Sequence, residues 1–222
     1  MMMKLRSLLV AVAMLATALP VQATIADPAG DFLPSFTGTP LGEVDIAGAA
    51  VARRATGWDF SVTANGPVGV TPGVLYVWGI NRGAGTPRLS FGTPSIGAGV
   101  NFDAVFVMFG NGDARIAAFP AAGPPAITNL PGALSLSGNN ISGFAPLSLL
   151  PSRGFAPEDY TFSLWSRLRA NPLLDGTNVE IADFLGAGGF AASVPEPQSW
   201  ALLLAGFAGV GMMARRQRQR VA

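Results

Sequence analysis

Hydrophobic and polar residues alternate in short segments of this chain, and turn-forming residues separate the segments. The alternation is clearest at residues 58–63, where Trp58, Phe60 and Val62 would share one face of a strand and three polar residues the other. Between residues 24 and 184 no segment has a helical period of useful length. The pattern predicts nine strands, at residues 43–52, 57–64, 73–80, 100–109, 114–119, 133–137, 141–150, 160–170 and 178–184.

The turns between these segments indicate the fold class. Residues 111–113 (Asn-Gly-Asp) predict a tight hairpin, and residues 65–67 (Asn-Gly-Pro) and 137–140 predict further turns. Short strands with regular turns are typical of an all-β fold, here an antiparallel β-sandwich or a jelly roll. We predict one such body at residues 24–184, followed by a flexible linker at 185–194 that is rich in glycine and alanine.

The chain ends in a different pattern, which has three parts in a fixed order. Residues 195–197 (Pro-Glu-Pro) are predicted to be extended, because proline fixes φ and removes a backbone donor. An uncharged segment follows, and we predict a transmembrane helix at 200–214 with Trp200 among the lipid headgroups. Counted from Ser199, this segment has 16 residues, or about 24 Å of helix, which is short for a hydrocarbon core of about 30 Å.

Four arginines after the uncharged segment place its C-terminal end in the cytoplasm by the positive-inside rule. They are Arg215, Arg216, Arg218 and Arg220. A buried core helix would not end in so many charges, whereas a permanent single-pass anchor stays open as an alternative. The short span directly after Pro-Glu-Pro favours a signal that is recognised and then removed.

Together these three parts resemble the PEP-CTERM protein-sorting domain, and the tryptophan–alanine pair resembles its PEPxxWA subtype of Gram-negative bacteria. The resemblance covers residues 194–220. Its sorting motif consists of Pro195, Glu196, Pro197, Trp200 and Ala201. The resemblance implies processing by an exosortase, a membrane enzyme similar to cysteine transpeptidases, and association with the export of extracellular polysaccharide. It implies nothing about the activity of the body.

The N-terminus has the layout of a secretory signal peptide with a short apolar helix. Lys4 and Arg6 precede an apolar segment at residues 8–19, and small residues precede a cleavage site for signal peptidase after Ala23. Cleavage after Ala26 is the alternative. Both ends together predict an exported protein that passes through the inner membrane to the cell surface or extracellular matrix of a Gram-negative bacterium.

The charge of the body differs from that of the whole chain, because the basic residues of both ends are removed with them. Residues 24–194 contain eight arginines, no lysine and twelve carboxylates, which gives a net charge of −4. A body of this kind lacks the basic patch that nucleic-acid binding needs. The chain contains no histidine and no cysteine, which excludes a Ser-His-Asp triad and a zinc site built on those residues. Carboxylate chemistry and sites for hard cations remain.

Two carboxylates near the predicted mature N-terminus are the candidate metal ligands. Asp27 and Asp31 flank a Pro-Ala-Gly turn and can point into it, and Asp45 can join them. Turns rich in oxygen suit Ca²⁺, which makes Ca²⁺ the candidate cofactor here. The interpretation that the pattern favours is a pair of Asx turns that ends a mobile terminus, with no cofactor. The Asp-Pro-x-Gly-Asp segment is similar to N-terminal segments of exported bacterial β-sandwich modules of the carbohydrate-binding type, which favours contact with glycans.

Two further sets of residues bear on glycan chemistry. An aromatic set would form a sugar-stacking platform if it were exposed, although the apolar character of residues 74–79 favours core packing. Its members are Trp58, Tyr76, Trp78 and Trp165. The carboxylate pairs Glu158/Asp159 and Glu180/Asp183 suit glycoside hydrolysis if they face each other across a cleft.

The leading hypothesis is therefore a non-enzymatic protein of the cell surface or extracellular matrix, sorted by an exosortase and in contact with exopolysaccharide. The alternatives are a carboxylate-dependent glycan-active enzyme and a Ca²⁺-dependent carbohydrate-binding module on the same scaffold.

Overall fold

The computed structural model describes residues 23–91, 95–169 and 177–191, which form eleven strands and five short 3-10 helices. The strands are β1 (Ala23–Ala26), β2 (Ile46–Arg54), β3 (Gly57–Ala64), β4 (Val74–Asn81), β5 (Ala104–Phe109), β6 (Ala114–Ala118), β7 (Ala126–Leu130), β8 (Leu134–Ser137), β9 (Asn140–Pro146), β10 (Thr161–Leu168) and β11 (Ile181–Ala191). The 3-10 helices are Gly42–Val44, Arg88–Phe91, Leu147–Leu149, Pro157–Asp159 and Asn178–Glu180.

The strands form two antiparallel sheets. The five-stranded sheet has the order β1-β2-β3-β9-β8, and the six-stranded sheet has the order β11-β10-β4-β5-β6-β7. Strands β1 to β3 form a meander in the first sheet, and β4 to β7 form a meander in the second. The chain then returns to the first sheet, where β9 pairs with β3, and to the second, where β10 pairs with β4. The predicted antiparallel all-β fold is confirmed, and its strand order is that of a sandwich built from meanders.

The main hydrophobic core lies between the two sheets. Trp58, Phe60 and Val62 of β3 are each at most 1% exposed, so the alternation read from the sequence is confirmed. The ring centroid of Phe60 lies 5.0 Å from that of Trp78 and 5.2 Å from that of Phe106. Because those two rings belong to the six-stranded sheet, Phe60 joins the sheets by direct aromatic contact.

The six-stranded sheet is apolar on its outer face as well. Leu75 and Val77 of β4 point away from the main core and belong to a second apolar cluster with Trp165 of β10. The segment between β4 and β5 supplies part of this cluster and covers it. A buried ion pair holds that segment, with Arg82 Nε 2.8 Å from Asp103 Oδ1. The run of apolar residues in β4 therefore reflects burial on both faces, as predicted.

Several elements differ from the sequence prediction. The short strand β1 and the edge strand β7 were not predicted; most residues of β7 are exposed, so it lacks an apolar face. Strand β11 continues to Ala191 through part of the segment predicted to be a linker. Its glycines and alanines can still pair because backbone hydrogen bonds need no side chain, and Ala191 lies opposite Thr161 of β10.

The described part of the chain contains no helix that is long and apolar enough to cross a membrane. Residues 1–22 of the predicted signal peptide (1–23) and the predicted transmembrane helix at 200–214 lie outside the described residues, whereas Ala23 is the first residue of β1.

Candidate functional site

Three carboxylates meet where the edges of the two sheets approach each other. Asp27 and Asp31 follow β1 of the five-stranded sheet, and Asp183 lies in β11 of the six-stranded sheet. One side-chain oxygen from each lies within 4.8 Å of the other two. The carboxylates of Asp27 and Asp31 lie close together, as the sequence suggested, and the structure adds Asp183 as a third member of the group. We call these residues the carboxylate cluster.

Asp45 positions the loop that carries Asp27 and Asp31. The backbone N–H of Gly30 donates to both carboxylate oxygens of Asp45, at 3.1 and 3.0 Å. The backbone N–H of Asp27 donates to the carbonyl oxygen of Ala47 at 3.1 Å, which extends the pairing of β1 with β2. Gly30 has a φ of 79°, a conformation that glycine adopts without strain. Asp45 is therefore not a member of the cluster; it holds the turn at Gly30 that carries Asp27 and Asp31.

Asp183 enters the cluster from the opposite sheet in a buried position. It is 2% exposed, and its Oδ2 accepts a hydrogen bond of 2.7 Å from the backbone N–H of Ile46 at the start of β2. Its Oδ1 accepts one of 2.6 Å from the N–H of Phe184. These bonds fix the carboxylate between the two sheets. Sequence reasoning missed this role; the available signal was a charged residue in the apolar segment 181–185.

Burial and mutual repulsion raise the pKa of two members of the cluster. Burial raises the pKa of Asp27 to about 7, and the negative charges of Asp183, Asp31 and Asp45 add to the effect. Burial also raises the pKa of Asp183 to about 6; the two backbone hydrogen bonds oppose this shift, while Asp31 and Asp45 reinforce it. Both carboxyls therefore hold a proton more tightly than an ordinary aspartate does.

One oxygen of the cluster has no hydrogen-bond donor. Oδ2 of Asp27 is buried, and no described residue donates to it. A buried carboxylate oxygen is satisfied by a proton, a water molecule or a cation, and a hydrogen bond between the carboxyl groups of Asp27 and Asp183 also raises the pKa of Asp27. Three convergent carboxylates supply hard oxygen ligands of the kind that Ca²⁺ prefers. Chemically, the cluster can bind either protons or a divalent cation, in competition.

The other residues considered for glycan chemistry lie elsewhere. The four aromatic residues are at most 2% exposed and pack in the cores, so they offer no platform for sugars. Glu180 is 3% exposed and forms an ion pair of 3.1 Å with Arg167. It therefore does not face a cleft as a catalytic acid would. Glu158 and Asp159 are exposed on a single-turn 3-10 helix. The cavities described below contain one lining acid, Asp113.

The second functional element is the C-terminal segment, where residues 192–222 lie outside the described residues. A family model described as the PEP-CTERM protein-sorting motif matches residues 193–219. The chain carries a PEP-CTERM sorting motif. The match includes the Pro-Glu-Pro residues, Trp200, Ala201 and the first three arginines of the basic end, and Arg220 lies one residue beyond it. The PEP-CTERM motif supports an exported protein that an exosortase sorts to the surface of a Gram-negative cell. No curated protein matches the chain.

Proposed function

We propose that the protein is a non-enzymatic component of the cell surface or extracellular matrix that contacts exopolysaccharide after exosortase processing. The single observation that carries this proposal is the PEP-CTERM motif at residues 193–219. Signal peptidase cleaves after Ala23, and the protein passes through the inner membrane before an exosortase cuts the tail. The mature protein then consists of the sandwich and a short C-terminal remnant.

The chemistry of the body supports a binding role over a catalytic one. The chain has no histidine or cysteine to act as a general base or nucleophile. Of its buried acids, Asp103 and Glu180 form ion pairs with arginine, at 2.8 and 3.1 Å. Glu43 accepts backbone hydrogen bonds from Gly69 and Thr71, at 2.6 and 2.8 Å. These acids serve the fold, and none of them is placed to exchange a proton with a substrate.

Mass spectrometry of the exported protein tests the sorting proposal. We expect an N-terminus at Thr24 and no peptide from beyond about residue 197. Recovery of peptides containing Arg215 or Arg216 from mature surface protein would contradict processing and leave a permanent anchor. A strain that lacks its exosortase is the matched control, because the body should then accumulate in the inner membrane with its tail intact.

A second function follows from the carboxylate cluster, in which we propose that Asp27, Asp31 and Asp183 bind Ca²⁺. The observation that favours it is the buried Oδ2 of Asp27, which has no donor among the described residues. Each carboxylate supplies one or two oxygens, and water or backbone carbonyls complete the six to eight ligands that Ca²⁺ takes. The ion would neutralise the repulsion between the carboxylates and link the end of β1 to β11.

Titration calorimetry with CaCl₂ tests this site directly. We expect one binding event at pH 8 in the wild-type protein and none in the Asp27→Asn/Asp31→Asn variant. The control variant Glu158→Gln/Asp159→Asn removes the same number of carboxylates from an exposed helix and should bind as the wild type does. Equal binding by all three proteins would refute the assignment of the site.

A further inference from the structure

The outer face of the six-stranded sheet has an open trough centred on Phe109, the last residue of β5. Three adjoining cavities of about 330, 470 and 210 Å³ lie there, and Phe109 lines all of them. Arg115 lines the first and third cavities, and Arg169 lines the second and third. Phe109 is partly exposed, unlike the aromatic residues of the cores. We call this surface the arginine trough.

The trough runs across the strands. Trp165 of β10 pairs with Val77 of β4, which pairs with Val107 of β5. Val107 pairs with Arg115 of β6, which pairs with Asn129 of β7. Because side chains directly opposite each other point to the same face, this row crosses five strands, or about 19 Å at a strand spacing of about 4.8 Å. Trp165 and Val77 are buried, 2% and 5% exposed. The accessible part of the row therefore runs from Val107 to Asn129 across three strands, about 10 Å, which leaves room for a short stretch of a sugar chain.

The charge of the trough is opposite to that of the body. Arg115, Arg167 and Arg169 line it, and Asp113 is the lining acid. Glu180 lies buried behind two of the arginines, 3.1 Å from Arg167 and 4.0 Å from Arg169. Three positive and two negative charges leave a net charge of +1 in this region, whereas residues 24–194 carry −4. Three of the eight arginines of the body thus meet on one face.

The arginine at the centre of the trough is held in place on both sides. Nε of Arg115 donates a hydrogen bond of 2.9 Å to Oδ1 of Asn129. Its guanidinium carbon lies 5.5 Å from the ring centroid of Phe109. These contacts use Nε and one face of the guanidinium group, and no described residue accepts a hydrogen bond from its terminal N–H groups. An arginine fixed in this way loses little conformational entropy when it binds a carboxylate.

We propose that the arginine trough binds a carboxylate-bearing polysaccharide, with the guanidinium groups on the carboxylates and Phe109 against a sugar ring. This inference rests on the proposed contact with exopolysaccharide and names its site and its chemical class. The open shape suits a chain that passes across the sheet, whereas an enclosed pocket would suit a small molecule. The trough offers three arginines on a body of net charge −4, which suits a ligand that places a few carboxylates there, whereas tight binding of nucleic acid requires many phosphate contacts.

Affinity electrophoresis of the full-length protein through gels that contain polygalacturonate tests the inference. The matched probe is fully methyl-esterified polygalacturonate, which keeps the sugar backbone and removes the charge. EDTA is present throughout, because Ca²⁺ would cross-link the acidic polymer. We expect retardation by the acid form alone, and the retardation should weaken as salt is added.

Variants locate the binding site. Arg115→Gln and Arg169→Gln should each weaken binding about tenfold, the loss of one charge-assisted hydrogen bond. Arg115→Lys should keep part of the affinity, because it keeps the charge but not the planar group. The control is Arg54→Gln in the five-stranded sheet. The side chain of Arg54 is 64% exposed and lies outside the trough, so this variant should bind as the wild type does. Equal melting temperatures for all variants would show that each is folded.

Each contrary result overturns the proposal in a different way. Equal retardation by the esterified polymer would show that charge is not recognised, and unchanged binding by both glutamine variants would place the site elsewhere. Stronger binding to single-stranded DNA than to polygalacturonate would favour a nucleic-acid surface. Absence of any binding would also refute the inference, while a protein correctly cut at its tail and found at the surface would leave the sorting proposal intact.

Discussion

The carboxylate cluster predicts an unusual dependence of stability on pH in the metal-free protein. The pKa of Asp27 is raised to about 7 and that of Asp183 to about 6 in the folded state, from about 3.9 in the unfolded chain. Between these values the folded protein binds more protons than the unfolded chain, so its free energy of unfolding falls as pH rises. The stabilisation from the bound protons is complete below about pH 4 and is lost as pH rises through 6 to 7.

Calcium should reverse this trend, because it replaces the protons with a cation. With a dissociation constant of about 0.1 mM, in the range of extracellular Ca²⁺ modules, 10 mM Ca²⁺ stabilises the folded state by about 2.7 kcal/mol at pH 8. For a domain of this size that raises the melting temperature by about 5–10 °C. At pH 5, a pKa of about 7 leaves only about one Asp27 in a hundred ionised, and Asp183, with a pKa of about 6, is mostly protonated as well. The affinity therefore falls at least about 100-fold, and the rise in melting temperature shrinks to about 1 °C or less.

Differential scanning calorimetry at pH 5 and pH 8, each with EDTA or with 10 mM CaCl₂, measures both effects. Asp27→Asn/Asp31→Asn removes two members of the cluster, so comparison with the wild type cancels the effect of groups that titrate elsewhere. In EDTA at pH 8 this variant should melt above the wild type, since it lacks the repelling charges, and calcium should not change its melting temperature. Glu158→Gln/Asp159→Asn, with the same loss of charge on an exposed helix, should follow the wild type.

Two results would refute this reasoning. One is a wild-type protein whose metal-free stability, relative to the double asparagine variant, is the same at pH 5 and pH 8, which would mean that the carboxylates are not perturbed. The other is a calcium effect of equal size at both pH values or in both proteins, which would place calcium binding outside the cluster.

Three further predictions concern the core, the covering segment and the tail. Phe60→Ala should lower the free energy of unfolding by about 3–5 kcal/mol in urea denaturation, because it empties the contact between the sheets; a loss below 1 kcal/mol would contradict the packing described. Asp103→Ala should lower the free energy of unfolding by about 3–5 kcal/mol, because it leaves Arg82 charged and buried. The double change Arg82→Met/Asp103→Leu should lower it by less. A larger loss in the double variant would show that the ion pair itself is the main source of stability. Pro195→Ala/Pro197→Ala should leave uncut protein in the inner membrane on immunoblots of fractionated cells, while efficient cutting would show that another element is recognised.

The fold could largely be predicted from the sequence where one face of a strand is buried. At β3 the alternation of Trp58, Phe60 and Val62 gave the strand and its inward face, and the apolar run of β4 indicated burial on both sides. Strand β7 has most of its residues exposed and therefore no such pattern. The last part of β11 consists of glycine, alanine and one phenylalanine, and its pairing depends on the position of β10, which sequence spacing does not show.

The functional residues that are adjacent in sequence could be predicted, and those that only the fold brings together could not. The PEP-CTERM motif is contiguous, so its residues and their order were sufficient to recognise it. Asp27 and Asp31 lie four residues apart around a turn, which made their proximity predictable. Asp183 joins them only because β11 lies at the edge of one sheet and β1 at the edge of the other, a relation that follows from the strand order of the whole body. The arginine trough was missed for the same reason, since Arg115 lies in β6 and Arg169 follows the end of β10.

The position of the carboxylate cluster also determines when the body can complete its fold during export. A chain that leaves the cytoplasm from its N-terminus exposes Asp27 and Asp31 first and Asp183 much later, because β11 is the last strand of the described residues and ends shortly before the Pro-Glu-Pro residues. Until β11 has crossed, β10 lacks its edge partner and the N-terminal loop has nothing to close against. On the proposed export route, the body would therefore complete its fold only as the sorting motif reaches the membrane. A molecule that paused earlier would still be open between β1 and β11, which would expose unfinished chains to periplasmic proteases and spare finished ones.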